Sequence, residues 1–425
     1  MALGPPARAR SGEELSLSES QSSRSAQQQV ARIAELRRVH EAFAWFRSHA
    51  RQLEDLQLQV TSIAAPPWGE AARSEWLKKH FAELGLADVH QDEIGNVFGI
   101  RAGSDLGAPY IALSAHLDTV FPPDTAISAR RDADKLYGPG ISDNSSGIIA
   151  LLAIAAAMHA AVIPNRAPIL FIGDVGEEGE GDLRGMRHIF QQPRWSARIA
   201  SLVVLDGAGT DTIIAEGLGS RRYEVTIRGH GGHSWSDFGV ANPIVGLARV
   251  IDRFTRTAVP ATPKTTYNIG IISGGTSVNS IPESATMRVD TRSASVEELD
   301  RLERALHEAI DEVIPELTGR KRQELLTAEV HVIGNRPAAD LPIDSQLLKM
   351  VRAVDAQLNN TARIQRASTD ANVPLSLGRE AIAIGAGGAG GGAHTIHEWY
   401  DPAGRELGLK RILLLTLALS GVADE

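Results

Sequence analysis

The sequence predicts an α/β fold, a mixed twisted sheet with helices on both faces, interrupted by an inserted α+β domain of ferredoxin-like topology. Two continuous apolar runs, "PILFIGDV" and "SLVVLDGAG", are typical of strands that are buried on both faces. An apolar helix, "GIIALLAIAAAMHAAV", comes before them, and repeated strand, helix and strand segments build layered α/β sheets. Beyond Gly217 the strands alternate apolar and polar residues instead, which indicates a sheet with one exposed face.

The length of 425 residues exceeds one ordinary core and predicts two domains. The change of strand character near Gly217 indicates that the second domain is inserted into the first. We therefore expect a disordered tail at residues 1–28, the first part of a main domain at 29–217, an inserted domain at 218–334, and the second part of the main domain at 335–425.

The elements of the main domain follow in chain order. Apolar residues at helical spacing predict a helix that continues until Pro66 and Pro67 force a loop. The segment "SEWLKKHFAELGL" is a second helix that Gly85 ends, and "NVFGIRAG" and "YIALSAHLD" are short strands. After the insertion, a helix, a strand and an apolar terminal helix complete the domain. The glycine cluster from Gly385 to Gly392 fits either a flexible linker or a binding loop.

The inserted domain contains six predicted elements in about 115 residues. They are "RRYEVTIRG", "NPIVGLARVIDRFT", "TTYNIGIISGG", "ATMRVDTRS", "VEELDRLERALHEAIDEVI" and "AEVHVIG". Their order, β-α-β-β-α-β, is that of the ferredoxin-like split motif.

Composition excludes several classes of protein. A net charge of −9 argues against a general nucleic-acid binder, whose footprint would be basic. The chain has no Cys, so any metal must be held by His, Asp and Glu, which suit zinc, cobalt or manganese. The first 28 residues lack the apolar core of a secretory signal, and no apolar stretch is long enough to predict a membrane span. We expect a cytoplasmic protein.

Several residues that can bind metal occur at strand ends. His116 and Asp118 end the strand in "ALSAHLDTV", where the carboxylate can accept one imidazole N–H and leave the other nitrogen for a metal. Asp143, in the turn "GISDNSSG", is either a bridge between two ions or simply a helix cap. Glu177, Glu178 and Asp206 also follow buried strands, the edge at which open α/β sheets bind ligands; His394 follows the glycine cluster.

Five of these residues supply enough ligands for two metal ions that share one carboxylate: His116, Asp143, Glu178, Asp206 and His394. Such a pair of ions polarises a carbonyl and activates a water, while a nearby carboxylate takes the proton. Glu177, next to Glu178, is the natural candidate for this general base. Two adjacent carboxylates repel each other and raise one another's proton affinity, which makes the pair unfavourable without a partner. A bound metal ion compensates for this repulsion.

These residues, in this order, resemble the co-catalytic zinc peptidase family that includes peptidase T, glutamate carboxypeptidase, acetylornithine deacetylase and aminoacylase. The resemblance runs from about residue 55 to the end and implies a zinc exopeptidase-like fold. It implies that His116 and Asp206 bind one ion, that Glu178 and His394 bind the other, and that Asp143 bridges them. It also implies that Asp118 orients His116 and that Glu177 is the general base.

The same resemblance gives the inserted domain a role as lid and dimerisation domain. In "RGHGGHSWSDFGVANP", His233 matches the family histidine that reaches an active site, often that of the partner subunit, as an oxyanion or carboxylate ligand. In "SVNSIPESATMRVDTRS", Asn279 and Arg292 match the pair that holds the substrate carboxylate or carbonyl. Without the family, these two residues would be interpreted as part of a hairpin and a surface charge.

Finer features favour the peptidase T-like branch. Asp206 stands where carboxypeptidase- and deacetylase-type members more often have Glu, and "STDANVPLSLG" resembles the tripeptidases. Two features depart from the pattern: "NSSG" follows Asp143 where tripeptidases tend to have "DKAG", and His397 stands where the family more often has Asn or Asp. The resemblance thus implies a di-metal aminopeptidase that acts on short peptides, with two zinc ions, or cobalt or manganese, and a homodimer through the inserted domain.

Three alternatives remain at this level. A single-domain zinc aminopeptidase shares the order of ligands, although the 188 positions from Asp206 to His394 favour the two-domain family. An N-acyl or N-carbamoyl amino acid amidohydrolase of the same family would use the same metals. A catalytically inactive binding protein is the third, disfavoured because all five ligands and Glu177 are present.

Overall fold

The computed structural model describes residues 12–317 and 325–423 of the chain. Within them the chain divides into two compact units. The first contains residues up to 215 together with 341–365 and 377–425, and the second contains residues 216–340 and 366–376. The return segment 366–376, expected in the main domain, belongs to the second unit, where the Asn372 side chain donates to Leu218 O and Pro337 O at 2.8 Å each.

The helices of the described residues are α1 (Gly12–Ala34), α2 (Arg37–Ser48), α3 (Ala50–Thr61), α4 (Ala71–Glu83), α5 (Ser145–Ala160), α6 (Arg184–Gln191), α7 (Pro193–Ser196), α8 (Pro243–Thr255), α9 (Val296–Glu316), α10 (Gln346–Gln357), α11 (Asn372–Ser376) and α12 (Arg405–Ser420). None of them is both long enough and apolar enough to cross a membrane.

The strands of the same residues are β1 (Ala87–Gln91), β2 (Val97–Arg101), β3 (Tyr110–His116), β4 (Arg130–Asp132), β5 (Lys135–Tyr137), β6 (Ile169–Asp174), β7 (Ile199–Leu205), β8 (Thr212–Gly217), β9 (Gly219–Arg228), β10 (Gly232–His233), β11 (Thr265–Gly274), β12 (Ser280–Ile281), β13 (Ser284–Ser293), β14 (Thr327–Arg336), β15 (Ala339–Asp340), β16 (Arg363–Ala367), β17 (Glu380–Ile384), β18 (Ala389–Gly391) and β19 (Trp399–Asp401).

The main sheet of the first unit is mixed, with the order β1-β2-β6-β3-β7-β17-β8. The four central strands, β6, β3, β7 and β17, are parallel, whereas β1, β2 and β8 pair antiparallel. Every residue of β3 and β6 is buried, as their unbroken apolar sequences predict. Helices α5 and α12 pack against β3, and α4 packs against β1 and β2. This architecture confirms the predicted mixed α/β fold.

The N-terminal prediction of a disordered tail is wrong for residues 12–28, which lie in α1; residues 1–11 lie outside the described residues. Helix α1 packs against α10 and α12. Its side chains Ala26 and Val30 are buried there, and the Gln29 amide donates to Ala418 O at 2.8 Å. Tertiary packing of an apolar stripe therefore orders a segment whose composition alone indicates disorder.

The long helix predicted before Pro66 is three helices, α1, α2 and α3. Leu36 breaks it once, with an extended backbone (φ −64°, ψ 133°), and His49 breaks it again. The breaks allow each helix to turn its own apolar stripe toward the core, with Phe43 and Phe46 buried from α2 and Val60 from α3. Neither break contains Pro or Gly, and the helical spacing of apolar residues continues through both. The sequence therefore predicted one helix.

The second unit contains a four-stranded antiparallel sheet with the order β11-β13-β9-β14. Taken with α8 and α9, its elements follow the chain order β9-α8-β11-β13-α9-β14, the predicted β-α-β-β-α-β topology. Both helices pack on the sheet around a core that includes Tyr223, Leu247 and Leu306. The alternation of buried and half-buried residues along β13 matches the one-sided burial that its sequence indicated.

Candidate metal centre

Three neighbouring strands of the first unit end at the candidate site. His116 is the last residue of β3, and the strands on either side of it are β6 and β7. Glu177 and Glu178 follow β6, and Asp206 follows β7 directly. Because parallel strands run in the same direction, their carboxyl ends meet at one edge, and these side chains converge there.

Two overlapping groups of side chains can each hold a metal ion. The first is His116, Asp143 and Asp206, and the second is Asp143, Glu178 and His394; in each group the candidate ligand atoms lie within 4.8 Å of one another. The atoms of Asp143 connect the groups, because Oδ1 lies 3.1 Å from His116 Nε2 and Oδ2 lies 3.2 Å from His394 Nε2. All five ligands expected from the sequence are therefore brought together, with Asp143 in the shared position.

Glu177 also lies within this cluster. It forms a third group of potential ligands with His116 and Glu178, and all three residues are buried. Its position thus allows either a metal ligand or a carboxylate held beside the metals. Glu177 and Glu178 are only 5% and 7% exposed, so both carboxylates are removed from bulk water.

Asp118 is fully buried and contacts more of the site than the sequence indicated. Its backbone oxygen lies 3.2 Å from His116 Nδ1 and its Oδ1 lies 3.5 Å away, so the Nδ1 proton has an acceptor and Nε2 faces the cluster. Its two carboxylate oxygens also accept the backbone N–H groups of Glu177 (3.0 Å) and Glu178 (2.7 Å). One carboxylate thus orients both the β3 ligand and the segment after β6.

Glu398 is a residue of the site that the sequence analysis missed. It is fully buried, and its carboxylate accepts the backbone N–H groups of Gly140, Ser142 and Asp143 at 2.8 Å each. The pairing of β19 with β5 places it beside this loop, which carries the shared ligand. The available signal in the sequence was that this Glu lies four residues after His394. The backbone groups that Glu398 contacts lie about 255 positions earlier, so only the fold identifies them.

Asn144, not Asp143, is the cap of α5. Its side-chain oxygen accepts the N–H groups of Gly147 and Gly207 at 3.1 Å each, and its Nδ2 donates to Leu205 O at 2.8 Å. The alternative interpretation of Asp143 as a helix cap is therefore wrong, and its carboxylate is available to the cluster. Asn144 also connects the start of α5 to the end of β7, directly beside Asp206.

The glycine cluster forms part of the site and is not a linker. Strand β18 lies within it and pairs with β19, and His394 lies in the connection between them with φ 64°. Gly390 lies so close to the Ser142 hydroxyl that any side chain would overlap it, and Gly385 has the same relation to Ala208 O. The glycines permit close packing of this hairpin against the loop that carries Asp143.

The carboxylates of the cluster strongly favour positive charge between them. Hydrogen bonds to Asp143 and Glu178 raise the pKa of His394 to about 10. Burial alone would lower the pKa of His116, but Asp118, Asp143 and Asp206 around the ring raise it well above its usual value. For Asp143 the directions are reversed: burial alone would raise its pKa, but the imidazoles of His116 and His394 lower it. Burial raises the pKa of Glu398 to about 7, against the three N–H groups that it accepts.

These residues fit a pair of divalent metal ions. The donors are imidazole nitrogens and carboxylate oxygens, the set that zinc, cobalt and manganese accept in proteins. Three carboxylates and two imidazoles that compete for protons show the same demand for positive charge that a divalent cation would satisfy.

The other three predicted residues lie in the second unit. His233 in β10 pairs with Ser280 in β12, next to Asn279, whose backbone oxygen accepts the N–H of Ser234 at 3.0 Å. His233 Nδ1 accepts the N–H of Trp235 at 3.2 Å, which leaves Nε2 as the protonated, donating nitrogen. Arg292 in β13 forms an ion pair with Asp290 at 2.7 Å through Nε.

Comparison with known proteins agrees with this geometry. The profile of "Peptidase family M20/M25/M40" matches residues 112–417, well over half of the chain. The chain belongs to peptidase family M20/M25/M40. This membership confirms the family that the motifs predicted, one of metal-dependent hydrolases.

Proteins that this chain resembles in sequence or in fold carry names of different activities. A probable carboxypeptidase of Uncinocarpus reesii is 29% identical over 241 residues, 51% of this chain and 53% of the relative. The chain thus spans about half the length of such curated relatives. Aminopeptidase PepT of Bacillus cereus shares the fold with a TM-score of 0.69 and 19% identity, over 87% of this chain and 98% of that one.

A third similar protein is named as an amidase rather than as a peptidase. The crystal structure of a hydantoinase/carbamoylase family amidase from Burkholderia vietnamiensis shares the fold with a TM-score of 0.65 and 18% identity. The similarity covers 87% of this chain and 97% of the amidase. The three relatives are named for a carboxypeptidase, an aminopeptidase and an amidase, so membership of the M20 family leaves the substrate open.

Proposed function

We propose that this M20 family protein is a di-metal exopeptidase that hydrolyses short peptides from the amino terminus. The observation that carries the hydrolase proposal is the pair of ligand groups that share Asp143, with buried Glu177 beside them. In the proposed assignment, His116 and Asp206 hold one ion, Glu178 and His394 hold the other, and Asp143 bridges both. Asp206 at its ligand position and the PepT-like fold support the aminopeptidase direction.

The ions, zinc in first place with cobalt or manganese as alternatives, would polarise the scissile carbonyl and make a water molecule more acidic. Glu177 accepts the proton of the attacking water and transfers it to the leaving amine, a role for which its position beside the ligands is suited. Asp118 holds the Glu177 backbone N–H and so keeps the base in place. These roles divide the adjacent carboxylates into a ligand, Glu178, and a base, Glu177.

The second unit would supply substrate contacts. His233 presents a donating Nε2, because Nδ1 already accepts a backbone N–H, and such a donor suits a carbonyl oxygen that gains negative charge. Asn279 lies next to it on the paired strand. Among the described residues Arg292 pairs with Asp290 through Nε, so its two terminal nitrogens would be available for a carboxylate or carbonyl.

We also propose a homodimer through the second unit. Strand β11 is an edge of its sheet, and Ile271 and Ile272 on it are 54% and 59% exposed. An edge strand with exposed apolar residues is a template for pairing with a second copy. The molar mass from light scattering tests this: twice the chain mass is expected, and a monomer would contradict it.

A substrate panel tests the direction of cleavage. Stripped protein is reloaded with zinc, cobalt or manganese and offered Leu-Gly-Gly, Leu-Gly-Gly amide, N-acetyl-Leu-Gly, N-acetyl-Leu and N-carbamoyl-Leu. An aminopeptidase releases leucine from the first two and leaves the blocked substrates intact. Carboxypeptidase activity would release glycine from N-acetyl-Leu-Gly.

The second candidate function, an N-acyl or N-carbamoyl amino acid amidohydrolase, is favoured by the fold shared with the carbamoylase family amidase. It predicts cleavage of N-acetyl-Leu or N-carbamoyl-Leu and no release of leucine from Leu-Gly-Gly. Two bound ions with no hydrolysis of any substrate in the panel would instead support a binding protein.

A further inference from the structure

Arg73 is a buried charge beside the candidate metal centre. It lies in α4, which carries none of the predicted site residues, and its side chain is 0% exposed. Its Nε donates to Ile63 O at 2.8 Å and its Nη1 donates to Leu117 O at 3.0 Å. A buried guanidinium is costly unless it is paired and hydrogen-bonded, so its position calls for compensating contacts.

The contact with Leu117 acts on the backbone between two site residues. Strand β3 ends at His116, and the Leu117 N–H still donates to Asp174 O at 2.8 Å. Arg73 supplies the donor for the carbonyl of the same residue. Both polar groups of Leu117 are therefore held, and with them the peptide planes from which the His116 and Asp118 side chains project.

The charge of Arg73 acts on the two carboxylates that hold the ligand segments. It interacts electrostatically with Asp118 and Glu398, and both of these are fully buried. Asp118 holds the backbone of Glu177 and Glu178, and Glu398 holds the loop of Asp143. The buried cation that holds Leu117 therefore also acts electrostatically on the two carboxylates that hold the other ligand segments.

We propose that Arg73 is a positioning residue of the metal centre. It holds the backbone between His116 and Asp118 through the Leu117 carbonyl, so that the ligands are arranged for two ions before the ions bind. This inference rests on the proposed function, because it assumes that the cluster binds divalent metal.

The change in metal affinity when Arg73 is removed distinguishes a positioning role from a purely electrostatic effect. A fixed positive charge repels the bound cations, so removal of Arg73 would tighten metal binding if charge alone mattered. Loss of a residue that orients ligands weakens metal binding instead, by about 10- to 100-fold.

The experiment compares Arg73→Met and Arg73→Lys with Arg411→Met as the matched control. Arg411 is also 0% exposed and lies in the same unit, where it pairs with Asp355 at 2.7 and 2.9 Å. Zinc affinity and stoichiometry of the stripped full-length proteins are measured by competition with a chromophoric chelator, and thermal unfolding is measured without metal. Arg73→Met should lose affinity by about 10- to 100-fold. Arg411→Met should lose thermal stability but keep wild-type affinity.

The role of Arg73 would be overturned if Arg73→Met bound zinc as tightly as the wild type or more tightly. It would also be overturned if Arg411→Met lost as much zinc affinity as Arg73→Met. If Arg73→Met does not fold, the zinc affinity of Arg73→Lys tests the role instead, because lysine keeps the charge but not the planar fork of arginine. A several-fold loss of zinc affinity in Arg73→Lys supports positioning, and wild-type affinity contradicts it. A wild-type protein that binds none of zinc, cobalt and manganese would overturn the proposed function itself. Two ions bound at equal affinity by the wild type and by Arg73→Met would overturn only this inference.

Discussion

At the scale of single residues, the adjacent pair Glu177 and Glu178 determines what the site can do. Their position after a buried strand predicted two carboxylates at the sheet edge, and the structure places both in the cluster, almost fully buried. It adds that Asp118 accepts both backbone N–H groups, so the residue expected to orient only His116 also orients this pair. One carboxylate thus fixes the backbone of both the proposed base, Glu177, and the proposed ligand, Glu178.

Replacement of Glu177 by Gln tests this division. The amide keeps the shape of the side chain but cannot take up a proton, so we expect kcat to fall by about 10²- to 10⁴-fold while two ions remain bound. Steady-state kinetics and metal analysis of the same preparation check it. Glu180→Gln is the control, since Glu180 is exposed in the same segment. Full turnover in Glu177→Gln, or loss of one ion, would contradict the assignment as base.

At the scale of elements, the start of α5 connects helix geometry to the site. Asn144 caps this helix and also donates to Leu205 O at the end of β7. The proposed ligands Asp143 and Asp206 lie directly beside these two connected points, one in each segment. In the proposed assignment both carboxylates bind the same ion, so the cap would set the separation between them.

A pair of cap substitutions separates helix stability from site geometry. Asn144→Ala and Asn242→Ala both remove an Asn cap, the second from α8 in the other unit, where its side chain accepts the N–H groups of Ile244 and Val245. Each should lower the free energy of unfolding by about 1 kcal/mol or more. Only Asn144→Ala should weaken zinc binding, by about 10-fold, as measured by chelator competition. Equal affinity in the two variants would show that the cap does not position the ligands.

At the scale of the whole molecule, the proposed metal binding should be coupled to protonation. The metal-free chain holds the two proposed ligand histidines among carboxylates, and the pKa of His394 is raised to about 10 while that of His116 is raised well above its usual value. A raised pKa means that the folded protein retains these protons at neutral pH. In the metal-free protein this contribution to stability is complete below the ordinary histidine pKa, about 6.5, and is lost as the pH rises through about 10.

Zinc binding should therefore release protons and weaken as the pH falls. We expect about two protons per loaded chain at pH 7, because both imidazoles must lose theirs to bind metal. Calorimetric titration in two buffers with different heats of ionisation measures the number. His394→Ala should release about one proton fewer, whereas His397→Ala, an exposed neighbour, should match the wild type. Proton release that is unchanged in His394→Ala would contradict its place among the ligands.

Much of the fold was predictable because it depends on local patterns. Unbroken apolar runs identified β6 and β7 as buried strands, and alternation identified the one-sided sheet of the second unit. The same reasoning failed where packing overrides composition or spacing. Burial of Ala26 and Val30 orders helix α1, and Leu36 breaks a helix without any local signal.

By itself, the sequence determined that three of the five proposed ligands, His116, Glu178 and Asp206, stand at the ends of buried strands, because burial leaves a periodic pattern in the chain. It placed the other two, Asp143 and His394, in loops. Only the tertiary structure decided how these side chains are held. The contacts of Glu398 with the Asp143 loop and of Arg73 with Leu117 join segments about 255 and 44 positions apart. Such contacts leave no local pattern, because a buried polar group finds its partner through the fold rather than along the chain.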